Sequence, residues 1–208
     1  MFLDTMSFEE IRLEYDRDKE VVANKILLVG KQYNKYMRQY KVSKFDKYVE
    51  YTSLRKNKWI IHYYTEGEKP QLTFTSWCHF LTEKSYAVIL AIPLEDKLVY
   101  YTGHFFTRYV ERMKLEANIP SQEVIKTFIN ENAKVATDYF DQVAPQQWQA
   151  FYQYKEGVGL GFEHRNLRLM EVRTFITNAM LGKNQIEKSE MLEDRFKIEV
   201  LRKGPGEE

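Results

Sequence analysis

The chain has 208 residues with 31 basic and 30 acidic side chains, a net charge of +1, and this balance argues against a protein that coats nucleic acid by charge alone. The length suffices for a buried core without covalent staples, in one large domain or two small ones. Its single cysteine, Cys78, excludes an intramolecular disulfide and a thiolate zinc cluster, and fits a cytoplasmic setting.

The first twenty residues, "MFLDTMSFEEIRLEYDRDKE", carry early acids and no apolar stretch of the secretory-signal kind. No run approaches the ~20 apolar residues a membrane span needs. Ser7 and Glu10 form the signature of a capping box. Phe8, Ile11, Tyr15, Val22, Ile26, Val29, Tyr33 and Met37 then recur at helical spacing. They predict a long helix ending near Tyr40 and broken near Gly30, with its other face a solvated layer of charge.

"DKYVEYTSL" reads as a short mixed piece. Three strand-like runs follow, "NKWIIHYY", "QLTFTSWCHF" and "SYAVILAIPL", the last stopping at Pro93. "TEGEKP" and "LTEK" separate them as hairpin turns, giving an antiparallel meander. Cys78 lies in the middle run as a buried, inert thiol. "KLVYYT" adds a fourth strand feeding a helix that runs to about Leu115. "IPSQEVIKTFINENA" predicts a further helix, capped by Ser121, with Val124, Ile125, Phe128 and Ile129 turned inward.

"TDYFDQVAPQQ" reads as a turn-rich passage extending that helix. "WQAFYQY", "GVGLGFEH" and "LRLMEVRTFI" form a second meander. Gly157, Gly159 and Gly161 match no phosphate-loop pattern and mark a hairpin or a close backbone approach. The end of the chain reads as a short helix and a tail. The fold class is therefore α+β: antiparallel meander sheets packed against helices, with a long N-terminal helix. The 15 Tyr and 13 Phe fit sheets rich in cross-strand aromatic pairs. The chain reads as a single domain over 1–208, with a subdivision at 1–95, 96–183 and 184–208.

The stretch "YYTGHFFTRYVERM" holds the strongest candidate site. At ~100° per residue, Phe105, Phe106, Tyr109, Val110 and Met113 share an apolar face. His104, Arg108, Arg112 and Leu115 form a row along its shoulder. Arg donates two parallel hydrogen bonds to a phosphate, and an anion between two arginines one turn apart relieves their repulsion. A His near a helix N-terminus is favoured as the neutral imidazole, which accepts a proton. The three side chains thus make a workable set for cleaving an RNA phosphodiester, with His104, Arg108 and Arg112 as catalytic residues. The structural alternative pairs Arg108 with Glu111 and Arg112 with Glu116, leaving His104 to cap or pack.

The run "HFFTRYVERMKLEANIPSQEVIKTFI" resembles a motif of small bacterial domains, many uncharacterised, grouped with toxin-type ribonucleases of the RelE/barnase-like fold. The matching residues are His104, Arg108, Glu111, Arg112, Ile119 and Val124. The extra residues "MKLEA" depart from the motif and would lengthen the helix. "GVGLGFEHRNLRLMEVRTFI" is similar to the hairpin that closes such domains. The resemblance implies a sheet with helices on one side, RNA as substrate and an antitoxin-like partner.

Around "FEHRNLR", His164, Arg165 and Arg168 are candidate substrate-binding residues beside Glu163, with His164 and Arg168 on one face if the turn lies at Asn166. His62 and His79, in neighbouring strands, are candidates to meet across them, but no carboxylate spacing makes them a metal site. No metal or cofactor is expected. The rival to a metal-independent ribonuclease is a non-catalytic module, or a nuclease-like fold without chemistry, that binds a protein or a second copy of itself.

Overall fold

The computed structural model describes residues 1–66, 71–83, 85–92, 96–116, 118–132, 136–182, 186 and 191, with the side chains of 136 and 140 left aside. The chain divides into two units, residues 1–100 with 167–169 and residues 101–166 with 170–208. Both are α+β.

The first unit opens with α1, Phe8–Tyr40. The capping box forms as expected: Glu10 N–H donates to Ser7 Oγ at 3.3 Å, and Ser7 N–H donates to the Glu10 carboxylate at 2.8 Å. Helix and chain part at Lys41, which adopts φ 50°. The predicted break at Gly30 does not occur. Tertiary packing of the inner face holds this turn helical despite the residue's poor intrinsic propensity. Tyr63 lies alongside, its hydroxyl donating to the Ile26 carbonyl at 2.8 Å.

Five strands accompany α1 in the order β1-β2-β3-β4-β5: Asp46–Thr52, Lys58–Glu66, Gln71–Leu81, Tyr86–Ile92 and Lys97–Tyr101. The "mixed piece" is thus a full strand, β1, antiparallel to β2 from Asp46↔Tyr64 to Thr52↔Lys58. The β3–β4 turn closes as expected with Thr82 N–H donating to the Ser85 carbonyl at 2.7 Å. The body of "TEGEKP" and Pro93 lie outside the described residues. Ile11, Tyr15, Val22, Ile26, Val29 and Met37 pack on Trp59, Ile61, Tyr63, Cys78, Phe80, Ile89 and Leu98. The alternation Trp59, Ile61, Tyr63 is the period-two pattern of one sheet face.

The second unit holds α2 at Gly103–Arg112, α3 at Ser121–Glu131, and strands β6 at Ala136–Ala144, β7 at Gln147–Gln153, β8 at Gly157–His164 and β9 at Leu169–Thr177, in the order β9-β8-β7-β6. Helix α2 stops three residues before Leu115, because Met113 caps it and Lys114 turns left-handed at φ 53°. Pro120, not Ser121, is the N-cap of α3, and Ser121 begins the helix. Pro120 offers no side-chain cap, and its carbonyl accepts from the Glu123 and Val124 N–H groups at 2.9 and 3.2 Å. Val124, Ile125, Phe128 and Ile129 are buried as expected.

"TDYFDQVAPQQ" is not a helix extension. It is mostly strand β6, antiparallel to β7, with register shifts between Tyr139 and Gln142 and between Gln142 and Ala144. Its Asp138, Asp141 and Gln142 resemble a turn and lie at or beside the register shifts, and Pro145 and Gln146 do form the turn to β7. The glycines of β8 do mark a close backbone approach: a Cβ on Gly157 or Gly161 would collide with the carbonyl oxygen of Ile176 or Glu171 respectively. The predicted C-terminal helix and tail lie outside the described residues, apart from isolated positions.

Candidate functional site

Helix α2 is anchored by aromatic packing. Thr102 caps it, accepting from Phe105 N–H at 3.3 Å and donating its hydroxyl to the Arg173 carbonyl at 3.1 Å. Phe105, Phe106 and Tyr109 are buried against Tyr101, Phe128, Tyr154 and Phe175, with ring centroids 5.0 to 6.0 Å apart. Edge-to-face contacts of this kind fix the rotation of the helix and therefore the direction of its shoulder.

On that shoulder the row divides. Arg108 Nε donates to His104 Nε2 at 3.3 Å, so the two come together and the imidazole presents its lone pair at Nε2 to the guanidinium. Arg108 Nη1 also donates to the Glu111 carboxylate at 2.8 Å, the ion pair of the structural alternative. Arg112 instead donates to the backbone carbonyl of Phe175 in β9. That bond replaces the expected pairing with Glu116. One arginine is therefore neutralised by a carboxylate and the other is spent on a main-chain oxygen, and no anion is needed to relieve repulsion between them.

The "FEHRNLR" residues are likewise committed. His164 Nε2 lies 3.3 Å from the Glu171 carboxylate, and Arg173 donates to that carboxylate at 2.6 and 3.1 Å. Burial alone would raise the Glu171 pKa, but these hydrogen bonds outweigh it and hold the carboxyl below its ordinary value. Arg165 donates to Glu163 at 3.0 Å and lies 4.2 Å over the Trp148 ring. Arg168, in the first unit, pairs with Asp96 at 3.3 Å. Asp96 also receives Arg12 at 2.8 Å and Lys19 at 3.3 Å.

His62 and His79 do not meet. His62 is paired in register with Thr75, and His79 with Val88. His62 stacks on Tyr48 at 4.2 Å and contacts Asp46 at 3.2 Å. Among the described residues no three His, Cys, Asp or Glu side chains gather as metal ligands. Cys78 is buried, and burial pushes its thiol up to about 12.

Two features of α1 escaped the sequence reading. On its inner face, Glu14 and Asp18 are buried among the apolar positions. Asn57 Nδ2 donates to both, at 3.1 and 3.0 Å, and Trp59 Nε1 donates to Asp18 at 2.7 Å. Glu14 also receives the Arg55 guanidinium and the Met1 amino group. The signal was available, since a wheel at 100° per residue places both acids among Ile11, Tyr15 and Val22.

The second feature is the outer face, which is not a purely charged layer. Leu13 (50%), Leu27 (60%) and Leu28 (56%) are exposed there, with Val21 beside them. On the wheel they lie opposite the buried stripe, and Arg17, Glu20 and Asn24 lie between them. Interspersed charges hid these leucines from a pattern search for one apolar face.

Among the described residues no helix is long and apolar enough to cross a membrane. In comparisons with known proteins, the chain matches no family model, no curated protein and no solved structure.

Proposed function

We propose that this chain is a non-catalytic protein-interaction module that binds through the outer face of α1. The observation that carries this reading is the trio Leu13, Leu27 and Leu28, about half exposed on a 33-residue helix whose opposite face is already packed. Leu13 at one end of this face and Leu27 and Leu28 at the other give an opposing helix apolar anchors at two points, with polar side chains between them. The hydrogen bonding around His104, Arg108 and Arg112 supports the same reading from the other side, because each group has a structural use.

A second reading, metal-independent RNA cleavage with His104 as proton acceptor and Arg108 as phosphate holder, rests on their 3.3 Å contact. Incubation of the purified chain with total RNA separates the two. The interaction reading expects intact RNA, from the wild type and from His104→Ala alike. Cleavage that His104→Ala abolishes would replace it with the nuclease reading.

A further inference from the structure

From the charge layout of α1 we infer that the occupant of its outer face is a second copy of this chain, docked antiparallel. The inference rests on the interaction reading above. Exposed charges on α1 are segregated along its length. Glu9, Glu10 and Glu20 lie in the N-terminal half with Arg17 as the basic member. Lys31, Lys35 and Arg38 are exposed in the C-terminal half, and no acid occurs from residue 23 to residue 41. A shallow depression lined by Lys31, Asn34, Lys35, Arg38 and Gln39 lies on this basic half.

Such a helix is complementary to itself only when one copy runs against the other. A parallel pair would set lysine against lysine and glutamate against glutamate. An antiparallel pair with its twofold axis between Glu20 and Val21 sets Glu10 against Lys31 of the partner subunit, at both ends. The same register places Leu13 on Leu28 of the partner subunit, again twice. Between these two apolar clamps Arg17 faces Asn24 of the partner subunit and reaches Glu20 of the partner subunit one turn along. That central polar set fixes register, as buried polar positions do in coiled coils. The charge pairs fix orientation. Sheet strands and α1's inner stripe take no part, so the folded unit docks without rearrangement.

Sedimentation equilibrium on the full chain tests this. The wild type should dimerise below about 100 µM. Leu28→Glu should raise the dissociation constant more than about a hundredfold, with an unchanged circular dichroism spectrum. Glu10→Lys and Lys31→Glu should each raise it about tenfold, and the double variant should recover to within about threefold of wild type. A wild type that stays monomeric, or a double variant no better than the singles, overturns the antiparallel copy. A monomer that leaves RNA intact would sink this inference alone, the face then belonging to a different protein; His104-dependent RNA cleavage would sink the reading beneath it.

Discussion

The indole nitrogen of Trp59 donates to the Asp18 carboxyl at 2.7 Å, and neither side chain exposes more than 1% of its surface. The same carboxyl accepts from Asn57 at 3.0 Å. Asp18 thus ties α1 to β2 and to the loop before it through bonds that water does not replace. Truncation would strand two buried donors. Asp18→Ala should destabilise the chain by about 2–4 kcal/mol, and Asp18→Asn, which keeps an acceptor, by less. Urea unfolding followed by Trp fluorescence measures both. A loss under about 0.5 kcal/mol for Asp18→Ala would contradict the role assigned to this network.

One turn earlier, Glu14 sets an acid limit on stability. Burial would raise its pKa, yet hydrogen bonds from Arg55, the amino terminus and Asn57 bring it down from 4.5 to about 2. A folded-state value below the unfolded one stabilises the fold fully above about pH 4.5. That contribution, on the order of 3 kcal/mol, disappears as pH falls from about 4.5 towards 2. Glu14→Gln should flatten the pH dependence of urea unfolding across that window. An unchanged slope would show that the pairing carries no proton linkage.

Two glycines should respond in opposite directions. A Cβ on Gly161 meets the carbonyl oxygen of Glu171, a main-chain atom with no freedom to step aside. Gly161→Ala should cost about 1–3 kcal/mol or more. At Gly30 the Cβ finds the Tyr63 ring at 3.6 Å, an ordinary contact. Gly30→Ala should therefore stabilise α1 by about 0.5–1 kcal/mol. Thermal melts of the two variants check both signs.

In the proposed dimer Leu13 and Leu28 contribute to association and not to the fold of a single chain. Replacing both with Gln should leave the stability of the dilute chain within about 0.5 kcal/mol of wild type. At high concentration the wild type should gain stability and the variant should not. Melting curves over a wide concentration range show the difference. An equal loss at every concentration would mean that these leucines pack within their own chain.

Much of this architecture was legible in the residues. The 3.6-residue recurrence from Ile11 to Met37 specified α1 and its buried stripe, and strand-like runs bounded by turn residues specified β2 to β4 and β7 to β9. What failed did so for identifiable reasons. β6 carries Asp138 and Asp141, and its pairing with β7 outweighs their turn chemistry, while Pro145 lies in the turn that joins the two strands. Gly30 suggested a break because propensity is local, whereas packing against β2 is not. The row of His104, Arg108 and Arg112 was correct as a helical spacing. Its arginines' partners were only partly legible: Glu111 is three residues from Arg108, but the Phe175 carbonyl comes from a distant strand. The wheel places Glu14 and Asp18 on the buried stripe of α1, but their donors, Asn57, Trp59 and Arg55, come from a distant part of the chain.

Disulfide trapping tests the proposed interface most directly. Cys78 is buried with its thiol pushed up to about 12, so the native cysteine stays out of the reaction. Leu13→Cys and Leu28→Cys chains, mixed and mildly oxidised, should yield a covalent dimer joining one of each. Leu13→Cys alone should not cross-link, because an antiparallel pair holds the two positions about 22 Å apart along the helix axis. Cross-linking of Leu13→Cys to itself, or no mixed dimer at a concentration where the chain associates, would contradict the antiparallel docking of α1.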